Sequence, residues 1–228
     1  MITLYHCMSA RSFRPLWALE ELGLAYELKL LPFPPRLLAK SYLNENPLGT
    51  IPLMVDGDTR MTESTSICLY LAARHGGTTP LNVRPDEADY GAFLNYLVLG
   101  EATLTFPQTL VLRYRFFEPP ERRQPQVADD YAKWFLARLR GVDKRLESHQ
   151  HMAAGRFTMA DISVAYSLML AQSIGLDPQF TPRVADYWAR MQQREGFQRA
   201  LKAQEEQAAA QGLPPTKPLA ERGSWSKP

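Results

Sequence analysis

Apolar and polar positions change period about a third of the way along the chain. Residues 2–7 and 26–31 are short apolar runs of strand length. Between them, residues 13–24 set Phe13, Leu16, Trp17 and Leu24 near helical spacing, with Glu20 and Glu21 on the polar side. Pro15 fits only a first helical turn, so the helix starts close to Ser12. A shorter helix is expected over 36–43. Runs 53–55 and 59–61 flank Asp56-Gly57-Asp58, a hairpin signal because Asp-Gly supplies positive φ at little cost. Residues 63–75 then read as a helix that stops at Gly76-Gly77. This order describes one α/β unit, residues 1–78.

Beyond it the strand pattern stops. Residues 79–87, with Pro80, Asn82 and Pro85, read as a linker. Tyr90, Phe93, Leu94, Leu97, Val98 and Leu104 then repeat at three and four, as do Tyr131, Trp134, Phe135, Leu139, Val142 and Leu146. Pro119, Pro120 and Pro125 separate these two helices. Three more helices are expected over 158–175, 182–194 and 195–211, so residues 88–212 form an all-α unit. The proline-rich stretch 213–228, with Trp225, is expected to be an irregular tail.

Composition narrows the function. The 228 residues are 45% hydrophobic and 11% aromatic, enough for a proper core. Lys and Arg total 26 against 24 acids, a net charge of +2 that leaves no bulk footprint for nucleic acid or membrane. Cys7 and Cys68 have no CxxC spacing and read as free thiols of a reducing compartment. Neither a secretory leader nor a spanning run is expected, which points to a cytoplasmic protein. His149 and His151 lack metal spacing, and no metal site is expected.

The candidate chemistry sits in the first unit. Asn46-Pro47-Leu48-Gly49-Thr50-Ile51-Pro52 leads into the strand run at 53–55, and Ile51-Pro52 suits a fixed cis turn. Such a turn leaves backbone groups of Ile51 or Leu53 free to pair with an extended peptide. Glu63-Ser64 adds a carboxylate and a helix start, a pair suited to a small zwitterionic peptide. Ser9 and Ser12 lie between the first strand and the first helix. A hydroxyl and unpaired helix-end N–H groups there can stabilise a ligand thiolate. Lowering a thiol by about two pH units corresponds to roughly 2.7 kcal/mol of thiolate preference. Ser12 has a second role open to it, as helix cap. Thr158 and Asp161 form a capping box whose expected role is structural.

Several stretches together resemble the cytosolic glutathione transferase family. They are Leu4-Tyr5-His6, Ser9-Ala10-Arg11-Ser12-Phe13-Arg14, Leu19-Glu20-Glu21-Leu22-Gly23, Asn46-Pro47, Ile51-Pro52-Leu53, Glu63-Ser64 and Phe157-Thr158-Met159-Ala160-Asp161. The S-x-x-S-x-R pattern is similar to bacterial serine-type members, zeta-, phi- or theta-like. The resemblance implies a thioredoxin-like N-terminal domain followed by an all-α helical bundle. It implies glutathione as cosubstrate, its thiolate added to a small electrophile, and a homodimer. Ser9 or Ser12 would then be the catalytic hydroxyl, with Arg11 adding positive potential over the thiol. Ile51 would pair its backbone with the cysteinyl unit, Pro52 shaping the turn. Glu63 would take the ammonium of the γ-glutamyl end and Ser64 its carboxylate. Thr50 stands where many relatives carry a lysine, so Arg36 or Lys40 would meet the glycyl carboxylate. The resemblance leaves three other activities open: isomerisation of maleyl-type acids, using Arg113 or Arg115; disulfide or peroxide reduction, using Cys7; and a non-catalytic binding module. Phe106, Tyr114 and Tyr166 are candidate walls for the second substrate.

Overall fold

Burial follows the sequence periods closely in the first third of the chain. The computed structural model describes residues 1–77 and 79–212, so the expected tail and Trp225 lie outside the described residues. Strand β1 (Ile2–His6) buries alternate residues Ile2, Leu4 and His6. Helix α1 (Phe13–Leu22) has every residue from Phe13 to Leu19 buried, and Gly23 ends it in the left-handed conformation. Strand β2 (Tyr26–Leu30) runs parallel to β1, Ile2 opposite Tyr26. The helix expected over 36–43 is broken. It is a four-residue helix α2 (Pro35–Leu38) and a 3-10 turn (Lys40–Asn44), because Ala39 leaves the helical region at φ −133. Only Pro35 and Tyr42 are buried there, too few anchors for one continuous amphipathic face.

Strands β3 (Leu53–Asp56) and β4 (Thr59–Met61) make the expected hairpin, with β3 antiparallel to β1 and the sheet ordered β2-β1-β3-β4. Helix α3 (Ser64–Arg74) buries Ile67, Cys68, Leu71 and Ala72 along one face and packs on α1.

The chain forms two units. Among the described residues, one comprises Met1–Asn82 together with residues 192–212, and the other is Val83–Met191. The second unit contains α4 (Tyr90–Leu99), α5 (Phe106–Leu112), α6 (Pro125–Leu146), α7 (Met159–Ser173) and most of α8 (Pro182–Gln192). A π-turn at Gly100–Thr105 joins α4 to α5, and a second, Arg113–Phe117, follows α5. Pro107 lacks the N–H that an α-helix would use, and the widened turn just before it absorbs the lost bond. Gly100 is needed for contact with α7, since a Cβ there would sit 2.3 Å from Ser163 Oγ. Helix α7 is buried on almost every side and forms the core of this unit. On α6 the buried positions are Ala128, Ala132, Phe135, Leu139 and Val142. Tyr131 and Trp134, expected on the core face, instead stack on each other with ring centroids 5.3 Å apart, and Trp134 is exposed.

Helix α9 (Glu195–Ala210), expected within the all-α unit, instead packs on α1 and belongs with the first unit. Phe197 meets the rings of Trp17 and Phe13 edge-on, and Arg194 and Arg199 pair with Glu21 and Glu20. Helical period reveals a buried face, not which unit covers it.

Candidate functional site

Three features of the first unit converge on the start of α1. Tyr5 pairs with Leu53, so the end of β1 and the start of β3 lie side by side. The turn after β1, carrying Ser9, therefore neighbours the Ile51-Pro52 turn, whose peptide bond is cis. Arg14, in the first turn of α1, donates from Nη1 to Ser64 Oγ at 3.2 Å, which brings the start of α3 to the same place.

The two serines occupy opposite environments. Ser9 is half-buried with φ +55, a left-handed conformation unusual for a residue with a side chain. Its N–H donates to Gln204 Oε1 on α9 at 3.0 Å. Ser12 is fully buried, with Oγ 2.7 Å from His6 Nδ1 and accepting from Cys7 N–H at 3.3 Å. It makes no side-chain cap to α1, so its hydroxyl serves the β1 end instead. His6 Nε2 lies 3.0 Å from Gln204 Oε1, and burial pulls the imidazole down to about 4, so the ring is neutral.

Cys7 is buried, and burial pushes its thiol up to about 12, which removes it as a nucleophile near neutral pH. Cys68 is raised likewise. Arg11 is half-buried between Ser9 and α1.

The approach to Pro52 is held by the side chains of Tyr42 and Asn46. Asn46 is buried, and its Nδ2 donates to the Thr50 carbonyl at 2.9 Å, as does Tyr42 O–H at 2.8 Å. Asn46 Oδ1 also accepts from Leu48 N–H at 3.2 Å. Thr50 is thus fixed through its carbonyl, with Ile51 half-buried and Pro52 buried behind it. Arg36 and Lys40 are both exposed. A Cβ on Gly49 would meet Arg36 Cβ at 2.7 Å, so Arg36 stands directly against this turn.

Glu63 is exposed, sits at the N-cap of α3 with extended φ and ψ, and makes no capping bond. Ser64 is buried at the first helical position. Arg14, fully buried behind it, was missed as a site residue. Its signal was a cation set among Phe13, Leu16 and Trp17 in an otherwise apolar helical turn. Gln204 had no local signal, being 198 residues from His6.

In the second unit, Thr158 and Asp161 form the expected capping box, and Asp161 Oδ1 also accepts from Met152 N–H and Tyr187 O–H. Tyr166 is core, while Phe106 is exposed and Tyr114 half-buried. Arg113 and Arg115 are engaged by Glu118 and Asp129. Among the described residues there is no cluster of His, Cys, Asp and Glu fit to hold a metal, and no helix long and apolar enough to cross a membrane.

A thioredoxin-like α/β unit followed by a helical unit, with a serine turn, a cis-proline turn and a polar helix start at one corner, defines the glutathione transferase fold. Residues 8–74 match the family described as glutathione S-transferase, N-terminal domain. The chain is 27% identical over 185 residues to glutathione S-transferase 3 of Schizosaccharomyces pombe, covering 75% of each chain. Among solved structures it is similar to the transferase URE2P5 of Phanerochaete chrysosporium, with TM-score 0.80 and 23% identity over 92% of this chain and 97% of that one. It is also similar to a sphingomonad glutathione S-transferase complexed with glutathione, with TM-score 0.77 and 24% identity over 88% of this chain and 98% of that one. The chain is thus similar to glutathione S-transferases in the sequence of its first unit and in its fold.

Proposed function

We propose that this chain is a glutathione transferase of the bacterial serine type, binding glutathione along the first unit and adding its thiolate to a small electrophile. The observation that carries the reading is the convergence of the Ser9 turn, the Ile51-Pro52 turn and the Ser64 helix start around the first turn of α1. The glutathione present in the related sphingomonad structure supports the same ligand.

In this reading Ile51 offers its backbone to the cysteinyl unit of glutathione. Glu63 takes the ammonium group, and Ser64, backed by the Arg14 guanidinium, takes the adjoining carboxylate. Arg36, beside Gly49 and Thr50, meets the glycyl carboxylate, with Lys40 further along the same segment. The sulfur lies by Ser9, whose hydroxyl donates to the thiolate while the start of α1 and Arg11 add positive potential. The thiol proton leaves to solvent. The sulfur lone pair then forms a bond to an electrophilic carbon, and a leaving group departs with its electrons or a double bond takes a proton.

Ser9 is preferred to Ser12 because Ser12 is buried against His6. The ion pairs of Arg113 and Arg115 and the buried Cys7 favour transfer over the isomerase and reductase alternatives. A cytoplasmic homodimer goes with this reading, and exposed Val98, Phe106 and Trp134 are apolar surface that a second copy would cover.

Calorimetric titration with glutathione tests the reading. Binding that Glu63→Ala weakens by about tenfold, the equivalent of ~1.4 kcal/mol, is expected. Absence of binding refutes the proposal.

A further inference from the structure

We propose that Gln204, on the last helix of the first unit, is a positioning residue for the thiol-activating turn. Its carbonyl oxygen ties the Ser9 amide to the His6 ring and so fixes where the Ser9 hydroxyl stands. The inference rests on the reading of Ser9 given above.

One oxygen makes both contacts. Gln204 Oε1 accepts from Ser9 N–H at 3.0 Å and lies 3.0 Å from His6 Nε2. The reversed amide would set an NH2 group against the Ser9 N–H, donor against donor, so the carbonyl must face the turn. A carbonyl oxygen only accepts, so His6 carries its proton on Nε2. The ring is neutral, which leaves Nδ1 as an acceptor for the Ser12 O–H at 2.7 Å. Ser12 Oγ in turn accepts from Cys7 N–H at 3.3 Å. The Cys7 carbonyl is a second, longer acceptor for the Ser12 O–H at 3.5 Å, and the network begins and ends on backbone amides that flank the turn.

The turn needs such a hold. Ser9 sits at φ +55, a conformation that a side chain disfavours and that persists where neighbours fix it. Gln204 is 1% exposed, so water cannot substitute for it freely. Its helix is in turn pinned to α1 by the Arg194–Glu21 pair and by Phe197 against Trp17. The last helix thereby becomes part of the site without touching the ligand.

The test follows the ultraviolet thiolate band of bound glutathione against pH in the unaltered protein and in Ser9→Ala, Gln204→Met and Arg199→Ala. Methionine keeps the length of glutamine and removes its acceptor. Ser9→Ala and Gln204→Met are each expected to raise the midpoint by about one pH unit, a ~10-fold loss of thiolate preference. Glutathione affinity of Gln204→Met should stay within a factor of about two. Arg199→Ala, which removes a half-exposed pair on the surface of the same helix, should leave the midpoint in place. A Gln204→Met midpoint equal to that of the unaltered protein, with Ser9→Ala shifted, overturns the positioning role alone. An equal rise in Arg199→Ala overturns it too, because general loosening would then be the cause. Ser9→Ala without effect removes the reading beneath it. Should Gln204→Met not fold, hydrogen exchange at the Ser9 amide of the unaltered protein decides. Slow exchange, with the His6 proton on Nε2, supports the proposal, and fast exchange overturns it.

Discussion

Arg14 Nη1 donates to Ser64 Oγ across 3.2 Å in a place closed to solvent, linking the first turn of α1 to the first turn of α3. A guanidinium keeps its charge when buried, so this is a permanent cation behind a helix N-terminus. Both the cation and the helix end favour an anion at Ser64.

Replacing Arg14 by methionine keeps much of the volume and removes the charge. Glutathione affinity is expected to fall by about tenfold, ~1.4 kcal/mol, and folding stability by roughly 1–3 kcal/mol as buried partners lose their donor. Calorimetry and urea denaturation measure the two effects separately. If affinity is untouched while stability drops, Arg14 is a packing residue and not part of the anion site.

Ser12→Ala separates the two serines. The substitution strips the donor from His6 Nδ1 and the acceptor from Cys7 N–H, both in the interior. A loss of about 1–2 kcal/mol in stability is expected, with a smaller effect on the bound thiolate than Ser9→Ala produces. The reverse ranking in the thiolate band would exchange the roles of the two residues.

Much of this corner was readable from sequence because its signals are local. Pro52 after Ile51, Glu63-Ser64 at a helix start and Asp56-Gly57 in a hairpin each declare themselves within a few residues. The contrast in environment between Ser9 and Ser12 was not readable. It depends on whether a hydroxyl turns toward His6, and the S-x-x-S spacing is silent on that. Asn46 was visible as half of an Asn-Pro pair, yet its bond to the Thr50 carbonyl needed the turn to be built first. Gln204 lay furthest out of reach. An uncharged residue in a polar helix becomes meaningful only once α9 is seen to pack on α1.

Asp161 caps the start of α7, and its surroundings give that role a magnitude. Its carboxylate accepts from Thr158 N–H at 2.9 Å, Met152 N–H at 2.9 Å and Tyr187 O–H at 3.0 Å, all away from solvent. Asp161→Ala removes the acceptor from these three donors at once, and from the Thr158 hydroxyl, which donates at 3.2 Å, as well. A loss of about 3–5 kcal/mol is expected by chemical denaturation, at the severe end for one substitution. A loss under about 1 kcal/mol would mean that water enters and replaces the carboxylate.

His6 makes stability depend on mildly acidic pH. Burial lowers its imidazole from 6.5 to about 4 in the folded chain, while the unfolded chain keeps the ordinary value. Between those two values the unfolded state binds a proton that the folded state refuses, so stability rises with pH across that window. The contribution is fully present above 6.5 and is lost as pH falls toward 4, at ~1.4 kcal/mol per pH unit and about 3 kcal/mol in all. Asp56, held below its ordinary 3.8 by the hydrogen bond from His75, acts only at lower pH and does not share the window. Urea denaturation of the unaltered protein and of His6→Gln at several pH values from about 7.5 to 4.5 isolates the term. The variant starts less stable, since glutamine cannot satisfy Ser12 and Gln204 equally well, but its stability should fall less steeply with acid. Parallel slopes would show that the unfolded chain gains no proton at this residue that the folded chain lacks.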